Sequence, residues 1–159
     1  MAERARNGSA NLWPRRRLLT LGGAAVLAGA GGWWLRGQPP RHGQPRLGAD
    51  QAWARVQAGT LLLADIRRPE EWRATGVPAG SRPIDMRRAD FAAAVRAAAG
   101  DAGVPVALIC ARGVRSARMV RALAAAGFST IADVPEGMLG SAAGPGWIAR
   151  GLPVVPWRA

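Results

Sequence analysis

Lysine is missing from this chain of 159 residues, and cysteine and histidine occur once each. A single cysteine excludes an intramolecular disulfide and any metal site built from clustered thiolates. With no lysine, arginine alone offsets the acids and leaves a formal charge of +12. Such a basic balance can mark nucleic acid or an acidic membrane surface as a partner. Here the arginines are scattered, and no basic stripe alternates with aromatic residues, so nucleic acid is not expected. The one histidine, His42, falls in residues 36–48, a stretch rich in proline and glycine without apolar periodicity that reads as a linker. A linker histidine is expected to be solvated. His42 therefore receives no role, and a Cys–His pair is not expected.

What is present centres on Cys110. An apolar, β-prone run, Val104-Pro105-Val106-Ala107-Leu108-Ile109, leads into it, and a helix-period segment from Ser116 to Ala126, stopped by Gly127, follows it. The cysteine thus sits where a buried strand ends and a helix begins. The first turn of a helix leaves backbone N–H groups without partners and carries partial positive charge, so a short loop wrapped over it favours an anion. Arg112 and Arg115 add two permanent charges, and Gly113 lets the backbone turn its N–H groups inward. Cys110 is expected to be a nucleophilic thiolate near neutral pH. Taken alone, a cysteine here reads first as a small buried hydrophobe ending a strand, and it is the strand, the two arginines, the glycine and the helix start together that reverse that reading.

Residues 1–35 read as an export signal or membrane anchor. A basic stretch ending in Trp13-Pro14-Arg15-Arg16-Arg17 precedes eighteen uncharged residues, Leu18 to Leu35. Arg15-Arg16-Arg17-Leu18-Leu19 resembles a twin-arginine signal, and Ala28-Gly29-Ala30 offers a cleavage site of the A-x-A kind. Left uncut, the run would reach about 27 Å, enough for a thin hydrocarbon core. Five glycines weaken it as a helix, which favours cleavage. In both cases the basic flank keeps the N-terminus cytoplasmic, and the domain is expected in the periplasm, exported or anchored to the inner membrane.

From residue 49 to 155 the chain alternates strand and helix. Asp50 is placed to cap a short helix carrying Trp53 and Val56 and closed by Gly59. Thr60–Ile66 reads as a buried strand, Pro69-Glu70-Glu71-Trp72 as the start of a brief helix, and Ser81–Met86 as a short strand pushed to an edge by Pro83. Asp90 caps a helix whose Phe91, Ala94, Val95 and Ala98 share one face and which Gly100 ends. The helix after Cys110 is expected to bury Val120, Leu123, Ala124 and Gly127, with Arg118 and Arg121 in water. Ser129–Val134 makes a last strand. This order implies an α/β fold in three layers, a mainly parallel sheet with helices on both faces and ligands at the carboxyl ends of the strands. Asp65 and Arg67, at such an end, are placed either to line the mouth of a site or to form a structural ion pair involving Glu70. Trp53, Trp72 and Trp147 read as core, and Asp133 and Glu136 are not read as an acid/base pair.

Three ordered motifs carry a resemblance to a family. Cys110-Ala111-Arg112-Gly113-Val114-Arg115-Ser116 resembles the active-site loop of the rhodanese (sulfurtransferase) superfamily, Cys-x-x-Gly-x-Arg followed by Ser or Thr. Asp65-Ile66-Arg67-Arg68-Pro69-Glu70-Glu71-Trp72 resembles its Asp-Val-Arg-x-x-x-Glu-aromatic segment. Glu136-Gly137-Met138 and Pro145-Gly146-Trp147 through Leu152-Pro153-Val154 resemble its C-terminal glycine-rich turn, tryptophan and final apolar segment. The chain departs at Thr75-Gly76-Val77-Pro78, where the family usually has Gly-His-Ile-Pro.

The resemblance implies a rhodanese-like fold and sulfur transfer by the thiosulfate:cyanide type of chemistry. Cys110 would take a sulfane sulfur from thiosulfate as a persulfide and yield it to cyanide, a thiol or a protein acceptor. Backbone N–H groups from Ala111 to Ser116 would hold the anionic sulfur, and Arg112 and Arg115 would orient the donor. No metal or cofactor is expected. Two other readings stand beside this one: a persulfide carrier or redox-responsive binding domain, and a phosphatase or arsenate reductase. The four residues between Cys110 and Arg115 make a loop shorter than the phosphatase cradle.

Overall fold

Two compact units divide the chain, Met1–Arg36 and Gly37–Ala159, and the computed structural model describes residues 39–100 and 103–158, all in the second unit. The export or anchor reading of residues 1–35 lies outside the described residues. Among those described, no helix is long and apolar enough to cross a membrane.

The elements follow the alternation in the sequence. Helix α1 (Ala49–Gln57) leads to strand β1 (Leu62–Asp65), helix α2 (Pro69–Thr75), and the short strands β2 (Val77–Pro78) and β3 (Arg82–Pro83). Helix α3 (Phe91–Ala99), strand β4 (Val106–Ile109), helix α4 (Val114–Ala125), strand β5 (Ile131–Val134) and strand β6 (Val154–Val155) complete it. Strands β3-β1-β4-β5 lie side by side in that order, every pairing parallel. A separate ribbon pairs β2 with β6 antiparallel.

Alternate residues of the central strands feed two cores, which is why those strands read as unbroken apolar runs. Leu63, Ala107, Ile109, Ala132 and Val134 pack on one face with Ala49 and Ala52 of α1 and with Met138 and Trp147. Ala64, Val106, Leu108, Cys110 and Ile131 pack on the other with Phe91 and Val95 of α3 and Val120 and Leu123 of α4. Helices therefore cover both faces. Cys110 belongs to the α3/α4 side.

Local starts and stops depart from the sequence reading in small ways. Gly48 rather than Asp50 caps α1, and the Gln51 side chain accepts its N–H at 3.0 Å. Asp90 stands at the N-cap of α3 as expected, but its side chain makes no cap bond, because its carboxylate is taken by Arg88 at 2.7 Å. Helix α4 begins at Val114, before Ser116, and its buried residues are Ser116, Ala117, Val120 and Leu123. Gly127 is exposed.

The larger correction concerns the stretch before α1. It is not a solvated linker from residue 39 onward. Pro45 accepts the Asp133 N–H at 3.0 Å and Leu47 donates to the Asp133 carbonyl at 2.9 Å, so this segment runs parallel along β5 with Leu47 buried. The His42 side chain is buried with it.

Candidate active site

Cys110 leaves β4 at its carboxyl end and is 1% exposed. Three neighbours define its sulfur's surroundings. The Gly113 N–H donates to Sγ at 3.1 Å, the Ser116 Oγ stands 3.5 Å from Sγ, and the Ser116 hydroxyl also reaches the Gly113 carbonyl at 3.2 Å. Of the backbone N–H groups from Ala111 to Ser116, that of Gly113 is the one bonded to sulfur. Ala111 and Val114 are half-buried, and their side chains are incidental to this contact.

Glycine is required at two points of this cradle. Gly113 has φ +78° as the residue capping α4, and a Cβ there would run into the Pro135 carbonyl and the Pro39 ring. Gly137, with φ +67°, lets the turn after β5 approach the backbone of Ala111 and Arg112. The next two residues then fasten the loop, Met138 N–H to the Cys110 carbonyl and Leu139 N–H to the Ala111 carbonyl, both at 2.9 Å.

The two arginines have different positions. Arg112 is exposed, and none of the ion pairs among the described residues includes it. Arg115 instead donates both arms of its fork to Glu71, at 2.7 and 2.6 Å. The Arg115 guanidinium holds the Glu71 carboxyl below its usual range, against the opposing effect of partial burial. Glu71 is the glutamate of the Glu-aromatic segment. Pairing it with Arg115 ties α2 to the loop, a contact that sequence reading missed although both residues lie in recognised motifs.

Asp65 and Arg67 do not line a mouth. Both are buried, and the Arg67 Nη2 lies 2.6 Å from Asp65 Oδ2. The rest of the Arg67 fork bonds Thr75 Oγ1 and the Gly76 carbonyl, each at 2.7 Å, so the pair clamps the end of β1 to the end of α2. Glu70 takes no part and faces Arg68 at the surface. Glu136 is likewise structural, receiving N–H groups from Ala49 and Gly146 and the fork of Arg150. Burial would raise its carboxyl, but those donors outweigh it and leave it low.

The remaining surprise is His42, whose Nε2 stands 3.2 Å from Asp133 Oδ2 with both side chains buried. Burial pushes the Asp133 carboxyl up, and the Ser116 hydroxyl and the His42 imidazole offset part of the rise. The partners lie 91 residues apart, and nothing in the linker's composition signals the contact.

A parallel α/β sheet that ends in a buried cysteine, wrapped by a loop entering a helix, defines a class of thiol-centred anion cradles. The rhodanese-like domain profile matches residues 48–142. The chain belongs to the rhodanese-like family. Among solved structures it is similar to a polysulfide-sulfur transferase homodimer from Wolinella succinogenes, at 26% identity and TM-score 0.56 over 70% of this chain and 78% of that one. A rhodanese-related protein from Thermoplasma volcanium matches at 26% identity and TM-score 0.51, covering 71% and 99% of the two chains. A thiosulfate sulfurtransferase from Pseudomonas aeruginosa shares the fold, with TM-score 0.60 at 23% identity over 73% of this chain and 21% of that one. No curated protein matches the sequence.

Proposed function

We propose that this protein is a sulfurtransferase that moves a sulfane sulfur through a persulfide on Cys110. The observation that carries the reading is the cysteine's setting: Sγ at the carboxyl end of β4, receiving the Gly113 N–H at 3.1 Å at the start of α4. Family membership and the likeness to the Wolinella polysulfide-sulfur transferase support it. In the first step the thiolate attacks the outer sulfur of a donor such as thiosulfate. The donor's S–S bond breaks, sulfite leaves with the electron pair, and an anionic persulfide remains. In the second, cyanide or a thiol attacks the outer persulfide sulfur and the Cys110 thiolate departs. The Gly113 N–H and the start of α4 stabilise negative charge on sulfur in both states, without reorganising as the charge shifts. Arg112, exposed at the loop, draws in an anionic donor, whereas the charge of Arg115 is largely answered by Glu71.

The basic stretch and apolar run of residues 13–35 support a periplasmic site of action, with the domain exported or held at the inner membrane. Mass spectrometry of the protein purified without reductant, treated with thiosulfate and then cyanide, tests the chemistry. A gain of one sulfur on Cys110 that cyanide removes as thiocyanate, absent in Cys110→Ser, is expected. A sulfur adduct that cyanide does not remove would replace the enzyme with a carrier that hands sulfur to a protein. No adduct at all would refute both.

A further inference from the structure

The carboxylate of Glu71 is engaged on both oxygens. Arg115 Nη1 donates to Oε2 at 2.7 Å and Nη2 to Oε1 at 2.6 Å, and Oε2 also accepts the Arg68 N–H at 3.0 Å. A two-armed contact of this kind is also the one by which an arginine holds a phosphate or a sulfonate. Both side chains of the pair are about a quarter exposed, so an arriving donor can reach them. Arg115 is pushed up chiefly by its bonds to Glu71, with the charge of Cys110 among the smaller causes, so the guanidinium and the sulfur feel one another.

The charges beside Glu71 cancel as well. Arg68 faces Glu70 at 3.8 Å, and Arg87, which feels both Glu70 and Glu71, is held by Asp85 at 2.6 Å. Of the two arginines in the loop, only Arg112 has no ion-pair partner among the described residues. A chain of charge +12 thus presents its sulfur centre with a single uncompensated arginine. The Cys110 thiolate is enough to balance it. A donor with one negative charge meets a neutral centre, whereas a dianion has a second charge that no free fork answers and that the Glu71 carboxylate repels. Specificity comes from such a repulsive element as much as from attraction.

We propose that Glu71 is a specificity-determining residue, matching the site to singly charged donors of the organic persulfide class and turning it away from tetrahedral dianions. The proposal rests on the sulfurtransferase reading above and narrows its donor. The Cys110 thiolate bonds to the terminal sulfur, the donor's S–S bond breaks, and the organic thiolate leaves with the electron pair. Two negative charges enter and two remain, one on the Cys110 persulfide and one on the departing thiolate. Thiosulfate, a dianion, still loads the cysteine, but more slowly.

Rates of sulfur loading on Cys110 by thiosulfate and by 2-hydroxyethyl persulfide are compared by mass spectrometry in the full chain, in Glu71→Gln, and in Glu71→Gln combined with Arg115→Gln. Glutamine keeps an oxygen for the Arg68 N–H, so the start of α2 is retained. The parent is expected to be loaded faster by the persulfide. Glu71→Gln is expected to raise the thiosulfate-to-persulfide rate ratio about tenfold, because a dianion gains more than a monoanion when a nearby negative charge is removed. Removing Arg115 as well is expected to bring the ratio back to within about threefold of the parent's, a reversal that loosening of α2 would not produce. A ratio that does not move in Glu71→Gln, one that the double substitution does not reverse, or a parent loaded faster by thiosulfate would overturn the proposal. Protection of Cys110 from iodoacetamide by sulfate needs no sulfur transfer and is read on the same proteins. Half-protection at about tenfold lower sulfate is expected in Glu71→Gln, and equal concentrations would count against the proposal as decisively. If neither donor loads Cys110 while sulfate protection shifts, the sulfurtransferase reading falls and Glu71 keeps its role against dianions.

Discussion

Replacing Gly137 by alanine tests whether the cradle is set by its backing. A Cβ at this position would lie 2.5 Å from the Ala111 carbonyl oxygen and 2.7 Å from the Arg112 nitrogen. Both are backbone atoms, so no rotamer change relieves the contact. Restoring an ordinary separation of about 3.5 Å requires the loop or the turn to move by about 1 Å. The left-handed backbone at φ +67° adds its own cost for any residue with a Cβ. Together the strained conformation, about 1–2 kcal/mol, and the overpacking, about 1–3 kcal/mol, predict a loss of about 2–5 kcal/mol. The same displacement shifts the carbonyls of Cys110 and Ala111, which Met138 and Leu139 hold at 2.9 Å, and so moves Sγ relative to the Gly113 N–H. A misplacement of about 1 Å is expected to slow transfer about a hundredfold. Urea denaturation gives the first quantity, and single-turnover sulfur loading of Cys110, measured by mass on the folded fraction, gives the second. Stability within about 0.5 kcal/mol of the parent together with full loading would refute the argument that this approach is tight.

Three further outcomes follow from the geometry. The Glu71 carboxyl sits below its unfolded value, so its pair with Arg115 adds stability above the ordinary range near 4.5 and loses it as pH falls through the lowered value. Glu71→Gln is therefore expected to cost less than about 1 kcal/mol at neutral pH, since the pair is roughly a quarter exposed, and acid melting curves of parent and variant should converge. Arg112→Ala is expected to raise KM for an anionic sulfur donor and flatten its dependence on ionic strength, with kcat kept; a fall in kcat alone would give Arg112 another role. Trp147→Ala removes a fully buried side chain and is expected to cost about 3–5 kcal/mol by urea unfolding. Trp147→Phe, which mainly loses the indole N–H bond to the Pro153 carbonyl, is expected to cost far less.

What could be read from the chain follows the range of the interactions. The strand before Cys110 and the helix after it carry their own signals, an apolar run and a periodic segment stopped by glycine, and both formed within two residues of the expected bounds. Strands β2 and β6 are two residues each, too short for any period to appear, and they exist because residues 77 and 155 meet in space. Arg115 and Glu71 are 44 residues apart, so a rule about helix starts could place the arginine but not its partner. His42 shows the same limit more sharply. Proline and glycine around it describe a chain that cannot form regular structure by itself, and say nothing of whether a strand edge elsewhere will accept it. Asp65 and Arg67 took the structural of their two readings, an ion pair turned into the fold, and only the expected involvement of Glu70 did not hold.

Both margins of the four-stranded sheet are blunted against other chains. At one, β3 is two residues long and ends in Pro83, which has no N–H to offer. At the other, both backbone groups of Asp133 are already committed to Pro45 and Leu47. A stray strand arriving at β5 would have to peel that segment away first, and His42 with it. Solubility and the setting of the buried histidine are thus guarded by the same few residues, and a cut after residue 47 would release both at once.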